Sequence, residues 1–415
     1  MSKSTPKEVF ETYKKRFTYF SEFELKYPSE LHLNYTIVIP CYSEPRLIET
    51  LNSLVSCNTP QETFEVLIVV NNSVEAPREI KAANLETIKS FHKWNTKTDS
   101  KIKFHCIEAL EMPPKKAGVG LARKIGMDVA TSRFAAINKI GWIINLDADC
   151  QVSTNYLSEI EKNVKNEVRG GHFYFEHKLK GIESHVLKQG ITLYELHLRY
   201  YAQALKYAGF EYWHHTVGSC MITRSDVYAL QGGMNQRKAG EDFYFMHKIM
   251  PGGKCIILNE TTVYPSARIS DRVPFGTGKA QGDWVDAENN IRKTYHFDLF
   301  SPLKSFFSTL EEWYDKKPVL DNTLHSFLEL ISFEETVFRI KKRSKTKDDF
   351  LRNVTQFCDG FFTLKLVHYL RDNVFGEEDV VSEANKLYST LNGSNEKLNA
   401  LDLLIAFREL DKKSE

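Results

Sequence analysis

No stretch of the chain approaches the roughly twenty consecutive apolar residues that fill a bilayer core, so the sequence excludes a helical membrane span. Met1 to Lys15 is charged and lacks an apolar signal core, from which a chain that stays in the cytoplasm is expected. Cysteine is sparse and unpaired in pattern: seven residues, an odd number, with no C-x-x-C, which argues for reduced thiols in a cytosolic compartment. Charge of one sign is also missing. The formal net charge of +1 gives no sign of nucleic-acid binding through bulk electrostatics. Peripheral contact with the inner face of the membrane stays open. What is present is a 42% hydrophobic content over 415 residues, enough for a sizeable core and more than one average domain.

The most informative stretch is Trp142-Ile143-Ile144-Asn145-Leu146-Asp147-Ala148-Asp149-Cys150, an apolar run that ends in two carboxylates one residue apart. Side chains alternate along an extended chain, so Asp147 and Asp149 project from one side as the strand passes into a loop. That pattern suits a hard divalent cation. Magnesium or manganese held by one or two carboxylates keeps positions open for phosphate oxygens, as a nucleoside diphosphate site requires. The same triplet also serves as an ordinary solvated turn after a strand, since Asp is a common turn residue.

Upstream, Tyr35 to Pro40 is β-branched and apolar and leads into Cys41-Tyr42-Ser43-Glu44, with Leu47, Leu51 and Leu54 following at helical spacing. A second strand is expected from Phe64 to Val70, closing at Asn71-Asn72-Ser73, and a third from Ile102 to Ile107. Helical patterns fall between them, from about Pro77 to Trp94 and from Ala117 to Ala130. Strands alternating with helices predict a mainly parallel sheet, whose ligands bind beyond the carboxyl ends of its strands. The loops at Cys41, Asn71 and Asp147 should share that edge. The chain divides into an N-terminal helical segment (1–33), the α/β domain (34–295) and a helical C-terminal region (296–415). In the last, Phe306, Phe307, Leu310, Trp313, Phe350, Leu351, Phe357, Phe361, Phe362, Leu364 and Leu366 recur at helical intervals, as core or as an acceptor- or partner-binding surface.

Tyr264 to Lys279 carries Arg268 and Arg272 four apart, hydroxyls and a Gly-Thr-Gly turn. Guanidinium forks and backbone amides both donate to phosphate, so the segment reads as a loop able to close on a diphosphate, or as a plain surface loop. It lacks the spacing of a Walker loop. His214 and His215 precede an expected strand from Thr216 to Thr223, and are read as structural histidines rather than metal ligands.

I-V-I-P-C-Y-S-E at 37–44, L-I-V-V-N-N-S at 67–73, G-L-A-R-K-I-G-M-D-V-A at 120–130, N-L-D-A-D at 145–149 and G-G-M with G-E-D-F at 232–243 resemble, in order and spacing, the family 2 glycosyltransferases. The resemblance covers roughly residues 34–285. It implies a GT-A-type fold, a mainly parallel twisted sheet with flanking helices, to which the helical C-terminal region is added. It also implies an inverting, metal-dependent transfer of sugar from a nucleotide-diphosphate donor to a saccharide or glycolipid hydroxyl.

On that resemblance Asp149 is the direct metal ligand, and Asp147 binds through water or holds the ribose. Pro40, Tyr42, Glu44, Asn71, Asn72, Arg123, Asp147, Arg268 and Arg272 are expected around the donor, with cationic help from Arg123, Lys115 or Lys116. Asp242 is expected as the base that takes the acceptor proton, with Glu241 orienting a substrate; the same acids would also serve as a helix cap. The chain departs from the pattern in places. Lys124 replaces the usual asparagine after the arginine, and Asn71-Asn72 replaces the acids that contact the base, although an amide still reads a base edge. The Q-x-x-R-W motif of processive synthases is missing, which favours single transfers. Two other classes stay open: a non-catalytic nucleotide-sugar or glycan-binding module, and a sugar-phosphate nucleotidyltransferase, which would need a Gly-rich basic loop where Pro40 to Glu44 stands.

Overall fold

The computed structural model describes residues 4–165, 167–270, 272, 276–287, 291–393 and 395–414. Asp271 and Val273 to Phe275, within the expected anion cradle, lie outside them, as do the extreme ends of the terminal segments. The chain forms two compact units. The first comprises Met1–Gly181, Thr216–Gly282 and Ser414–Glu415; the second comprises Ile182–His215 and Asp283–Lys413.

Among the described residues the first unit holds an eight-stranded sheet: β1 (Leu33–Cys41), β2 (Thr63–Ser73), β3 (Lys103–Met112), β4 (Trp142–Asn145), β5 (Gln151–Val152), β6 (Gly170–Phe175), β7 (Met221–Arg224) and β8 (Cys255–Tyr264), in the order β3-β2-β1-β4-β7-β6-β8-β5. β3, β2, β1 and β4 run parallel, β7 returns antiparallel on β4, and β6 pairs parallel with β8. In chain order the helices are α1 (Pro6–Arg16), α2 (Leu47–Val55), α3 (Arg78–Asn95), α4 (Val119–Ala136), α5 (Tyr156–Asn163), α6 (His185–Tyr207), α7 (Ser225–Leu230), α8 (Glu241–Ile249) and α9 (Thr277–Asp286).

The alternation expected between residues 35 and 150 is present, and two strands differ in their bounds, one inside that range and one beyond it. β2 does not close at Asn71: it continues to Ser73 because β3 extends to Met112 and keeps pairing with it. The strand expected over Thr216 to Thr223 is shorter, since Gly218–Cys220 forms a 3-10 turn before β7. β1 and β2 are buried on both faces, as central parallel strands should be. α4 is buried almost all round, which explains its run of small and apolar residues. At Gly126 it lies so close to the sheet that a Cβ would stand 2.4 Å from Val38 Cγ1.

The second unit is helical: α6, then α10 (Phe300–Ser308), α11 (Asn322–Leu330), α12 (Phe333–Arg343), α13 (Lys347–Phe357), α14 (Gly360–Leu370), α15 (Val380–Asn392) and α16 (Ala400–Lys412). α6 groups with these helices although it lies within the 34–295 segment of the sequence. Phe306, Trp313, Phe350, Phe362 and Leu366 are buried, and Phe306 stacks on Phe362 with centroids 5.6 Å apart; Phe357 and Phe361 are exposed.

An ionic lock joins α6 to α16. Arg199, 0% exposed, donates to Asp411 and, at 2.8 Å, to Glu195, which Arg408 also grips. Gln203 donates to Asp411 at 2.5 Å, and His215 Nε2 lies 2.9 Å from it. His215 is thus a structural partner. Burial works to raise the Asp411 pKa, but Arg199, His215 and Gln203 outweigh it and hold the carboxyl at about 2. A folded value below the unfolded one near 3.8 stabilises the protein fully above pH 4, and that contribution, about 2 kcal/mol, is lost as pH falls toward 2. Asp411→Asn should remove it at every pH and leave Arg199 undercompensated, a loss of about 3–5 kcal/mol for breaking a buried pair. Urea unfolding at pH 7 and pH 3 checks both: the wild type should lose stability on acidification by more than the variant does.

Candidate functional site

Three strands deliver the site. β1, β2 and β4 are parallel and in register, with Val38 opposite Asn145 and Cys41 opposite Val70, so the loops after β1 and β4 open at one sheet edge. After β4 the chain turns. Leu146 N–H still donates to Val38 C=O, Cys150 N–H donates to Asp147 C=O at 3.0 Å, and Thr50 of α2 holds the Ala148 carbonyl at 2.8 Å. Leu146, Ala148 and Cys150 are buried while Asp147 and Asp149 keep 36% and 21% of their side chains exposed, so both carboxylates face outward.

Arg123, in the first turns of α4, is the bridge. Its guanidinium donates to Asp147 Oδ1 at 2.5 Å and to Glu241, the first residue of α8. Arg123 and Glu241 are 3% and 1% exposed. Gly218 leaves the room: a Cβ there would lie 2.4 Å from Arg123 Nη2. Burial works to discharge Arg123, but the charges of Asp147 and Asp242 hold its pKa above the ordinary arginine value. Asp242, next to Glu241, accepts from the Phe243 N–H at 2.8 Å and is half-buried. Burial raises its pKa against the opposing pull of Arg123 and that N–H, with Asp147 adding to the rise.

A second cluster gathers around Glu44, 2% exposed, which caps Arg46 N–H at 2.8 Å. Arg268 donates to Glu44 and stands 3.4 Å from Asp149 Oδ2; Arg272 donates to Glu44 at 2.5 Å, to Tyr42 C=O at 3.2 Å and stands 3.3 Å from Asp149 Oδ2. Burial, with Asp147 and Glu44 nearby, pushes the Asp149 carboxyl up to about 6 despite Arg272 and Arg268. The structure therefore brings Tyr42, Glu44, Arg123, Asp147, Asp149, Glu241, Asp242, Arg268 and Arg272 into one connected array.

Asn71 and Asn72 are within β2, 2% exposed, and their side chains serve the backbone: Asn71 Nδ2 donates to Gly118 C=O at 3.2 Å and Asn72 Oδ1 accepts from Glu111 N–H at 2.9 Å. Pro40 pairs with Val69 inside the sheet. Lys115 and Lys116 are exposed in the turn before α4, and among the described residues no side-chain hydrogen bond or ion pair ties them to the array. Lys124, next to Arg123, is buried on Asp128 and Tyr13 instead. Sequence reasoning missed the coupling of Asp147 to Glu241 through Arg123, and Gly218, for which no motif gave a signal.

Among the described residues no three ligating side chains converge as a preformed metal cage. The pair Asp147 and Asp149 nonetheless fits a divalent cation. Asp147 Oδ2 and Asp149 Oδ1 accept no hydrogen bond from described residues. The carboxylates of Glu44, Asp147, Asp149, Glu241 and Asp242 outnumber the guanidinium groups of Arg123, Arg268 and Arg272 by two, the charge of one such ion.

Residues 36–229 match the model of glycosyl transferase family 2. No curated protein matches the sequence. Among solved structures the chain is similar to S. aureus TarS 1-349 in complex with UDP-GlcNAc, at 14% identity and a TM-score of 0.39 over 87% of this chain and 93% of that one. It is also similar to the mannosyltransferase PcManGT from Pyrobaculum calidifontis in complex with GDP-Man and Mn2+, at 11% identity and a TM-score of 0.36 over 85% and 94% of the two chains.

Replacing Arg123 by Met keeps the length of the side chain and strips Glu241 of its cation. Breaking a buried pair from one side costs about 3–5 kcal/mol, so the urea midpoint of Arg123→Met should drop accordingly. Arg123→Met combined with Glu241→Gln should recover part of the loss, because the uncompensated buried charge is then gone.

Proposed function

From the premise that residues 36–229 constitute a glycosyl transferase family 2 domain, we propose that the protein moves one sugar from a nucleotide-diphosphate donor to a hydroxyl acceptor with inversion. The sugar is of the hexosyl or N-acetylhexosaminyl class and the acceptor a saccharide or glycolipid of surface polysaccharide or glycoconjugate synthesis. The observation that carries this reading is the Arg123 bridge: it couples the D-x-D carboxylate Asp147 to Glu241, adjacent to Asp242, so a diphosphate side and an acceptor side share one guanidinium.

Asp149, with Asp147, would hold a manganese or magnesium ion. Bound there, the ion supplies neutralisation of the charge that builds on the leaving diphosphate. Arg268 and Arg272 already lie on Asp149 and Glu44, and a diphosphate offers the same two forks a stronger set of oxygens. Asp242 takes the proton from the acceptor hydroxyl. Its raised pKa suits it to that work, since a base poised nearer the working pH holds the proton more firmly. Glu241, fixed by Arg123, sets where Asp242 stands.

Two measurements test the reading. A panel of nucleotide sugars, scored by manganese- or magnesium-dependent thermal shift and hydrolysis, should yield at least one donor, and Asp149→Ala should abolish the metal-dependent part while keeping the fold. Retained metal-dependent affinity in that variant would refute the ligand assignment. Asp242→Asn should slow transfer about a hundredfold or more with donor affinity nearly kept. Product that retains the donor's anomeric configuration would rule out direct displacement.

A further inference from the structure

α1 lies upstream of the segment that matches the family model, yet it is built into the route to the acids of α8. It begins with a capping box between Thr5 and Glu8, carries Pro6 at its first position, and buries Phe10 and Tyr13. The Tyr13 hydroxyl donates to Asp128 Oδ1 at 2.6 Å, and Tyr228 of α7 donates to the same oxygen at 2.6 Å. Lys124 lies 3.0 Å from Asp128 Oδ2 and donates to the Tyr13 hydroxyl at 2.5 Å. Charge-assisted bonds of this kind, all buried, leave the Tyr13 ring one position.

On that ring rests the Gly232-Gly233 turn. Both glycines are left-handed, with φ of +79° and +70°. A Cβ on Gly233 would stand 2.4 Å from the Tyr13 oxygen, and one on Gly232 would stand 2.8 Å from Phe17 Cε1. The glycines are therefore required twice, by conformation and by the aromatic seat beneath them. Gly233 N–H is bonded back to Tyr228 C=O at 2.9 Å, which ties the turn to the residue that shares Asp128 with Tyr13. From this turn the chain passes buried Met234 and reaches Asn235, whose Nδ2 donates to Glu241 C=O at 3.3 Å. Along that path Arg237 C=O would lie 2.2 Å from a Cβ on Gly120, so the strap is pressed on the start of α4. Between the Gly-Gly turn and Glu241 the strap is therefore tied at Asn235 and pressed on α4 at Arg237 and Lys238.

We propose that Tyr13, with Phe17 behind it, is a positioning residue for the Glu241-Asp242 pair. The aromatic seat on α1 fixes the Gly232-Gly233 turn, and the turn fixes the strap that delivers the acids. As a statement about transfer rate this rests on the glycosyltransferase reading; as a statement about the strap it does not. A displacement of about 1 Å at a reacting group costs on the order of a hundredfold in rate, so a loosened strap acts on turnover before it acts on donor binding.

The experiment uses the full chain and Tyr13→Leu, with Phe17→Leu as the second variant should the first fail to fold. Arg133→Met is the matched control: it breaks the buried grip on Glu65 near the other end of α4 and destabilises the protein without touching the turn. Hydrogen exchange of peptides spanning 232–244 should speed up about tenfold or more in Tyr13→Leu and stay near wild type in Arg133→Met, while β8 peptides, remote from both substitutions, stay protected in both. With the donor found by the nucleotide-sugar panel, kcat should fall about tenfold or more, with donor KM within twofold. Unchanged exchange at 232–244, or equal acceleration in the control, overturns the proposal. Faster exchange with no donor turned over by the wild type leaves the positioning role standing and removes the glycosyltransferase reading.

Discussion

The arrangement depends on one buried guanidinium. Burying Arg123 and Glu241 takes two charges out of water, a penalty of several kcal/mol per ion that only close, shared geometry offsets. Such pairs are poor sources of stability compared with apolar packing. What Arg123 adds is registration: a planar fork has fixed directions, so Asp147 on the loop after β4 and Glu241 at the head of α8 cannot shift independently. The demands reach backward into the sequence. α4 must run close under the sheet, which Gly126 permits, and the turn before β7 must be bare beside the fork, which Gly218 permits.

The second guanidinium pair solves a different problem. Glu44, Asp147 and Asp149 crowd together, and with burial they raise the Asp149 carboxyl to about 6 even with Arg268 and Arg272 in place. Without those arginines the like charges would be less compatible still with partial burial. In the protein alone both forks are taken up by Glu44 and Asp149. Arg268 and Arg272 both lean on Asp149, so a cation held by that carboxylate would compete with them for the same oxygens.

Much of this was legible in one dimension. The parallel strands follow from β-branched runs alternating with helical spacing, and the placing of loops at a common edge follows from parallelism alone. The D-x-D and E-D stretches were visible as carboxylates at a strand end and a helix start. What sequence patterns do not carry is which charge answers which. Arg123 and Lys124 are neighbours in sequence with like charge, yet a helix turns them about 100° apart, one toward Asp147 and Glu241, the other toward Asp128 and Tyr13. What a strand-end amide pairs with is no easier to read: β3 runs on beside Asn71 and Asn72, and Asn71 Nδ2 and Asn72 Oδ1 bond the backbone of Gly118 and Glu111.

The departure at Lys124 has a physical explanation in the same terms. A cation at that position is tolerable in a buried helix only beside a buried anion, and Asp128, one turn later, is that anion. Asp128 in turn needs donors for its remaining lone pairs, which the hydroxyls of Tyr13 and Tyr228 provide. Burial raises the Asp128 pKa, and Lys124 with the two phenols acts against that rise. A lysine replacing an amide on α4 thus commits the chain to an aromatic hydroxyl on a helix more than a hundred residues upstream. The N-terminal helix is thus tied to α4 and α7 by a polar requirement as well as by its buried Phe10 and Tyr13, and a buried polar bond has direction where apolar contact has none.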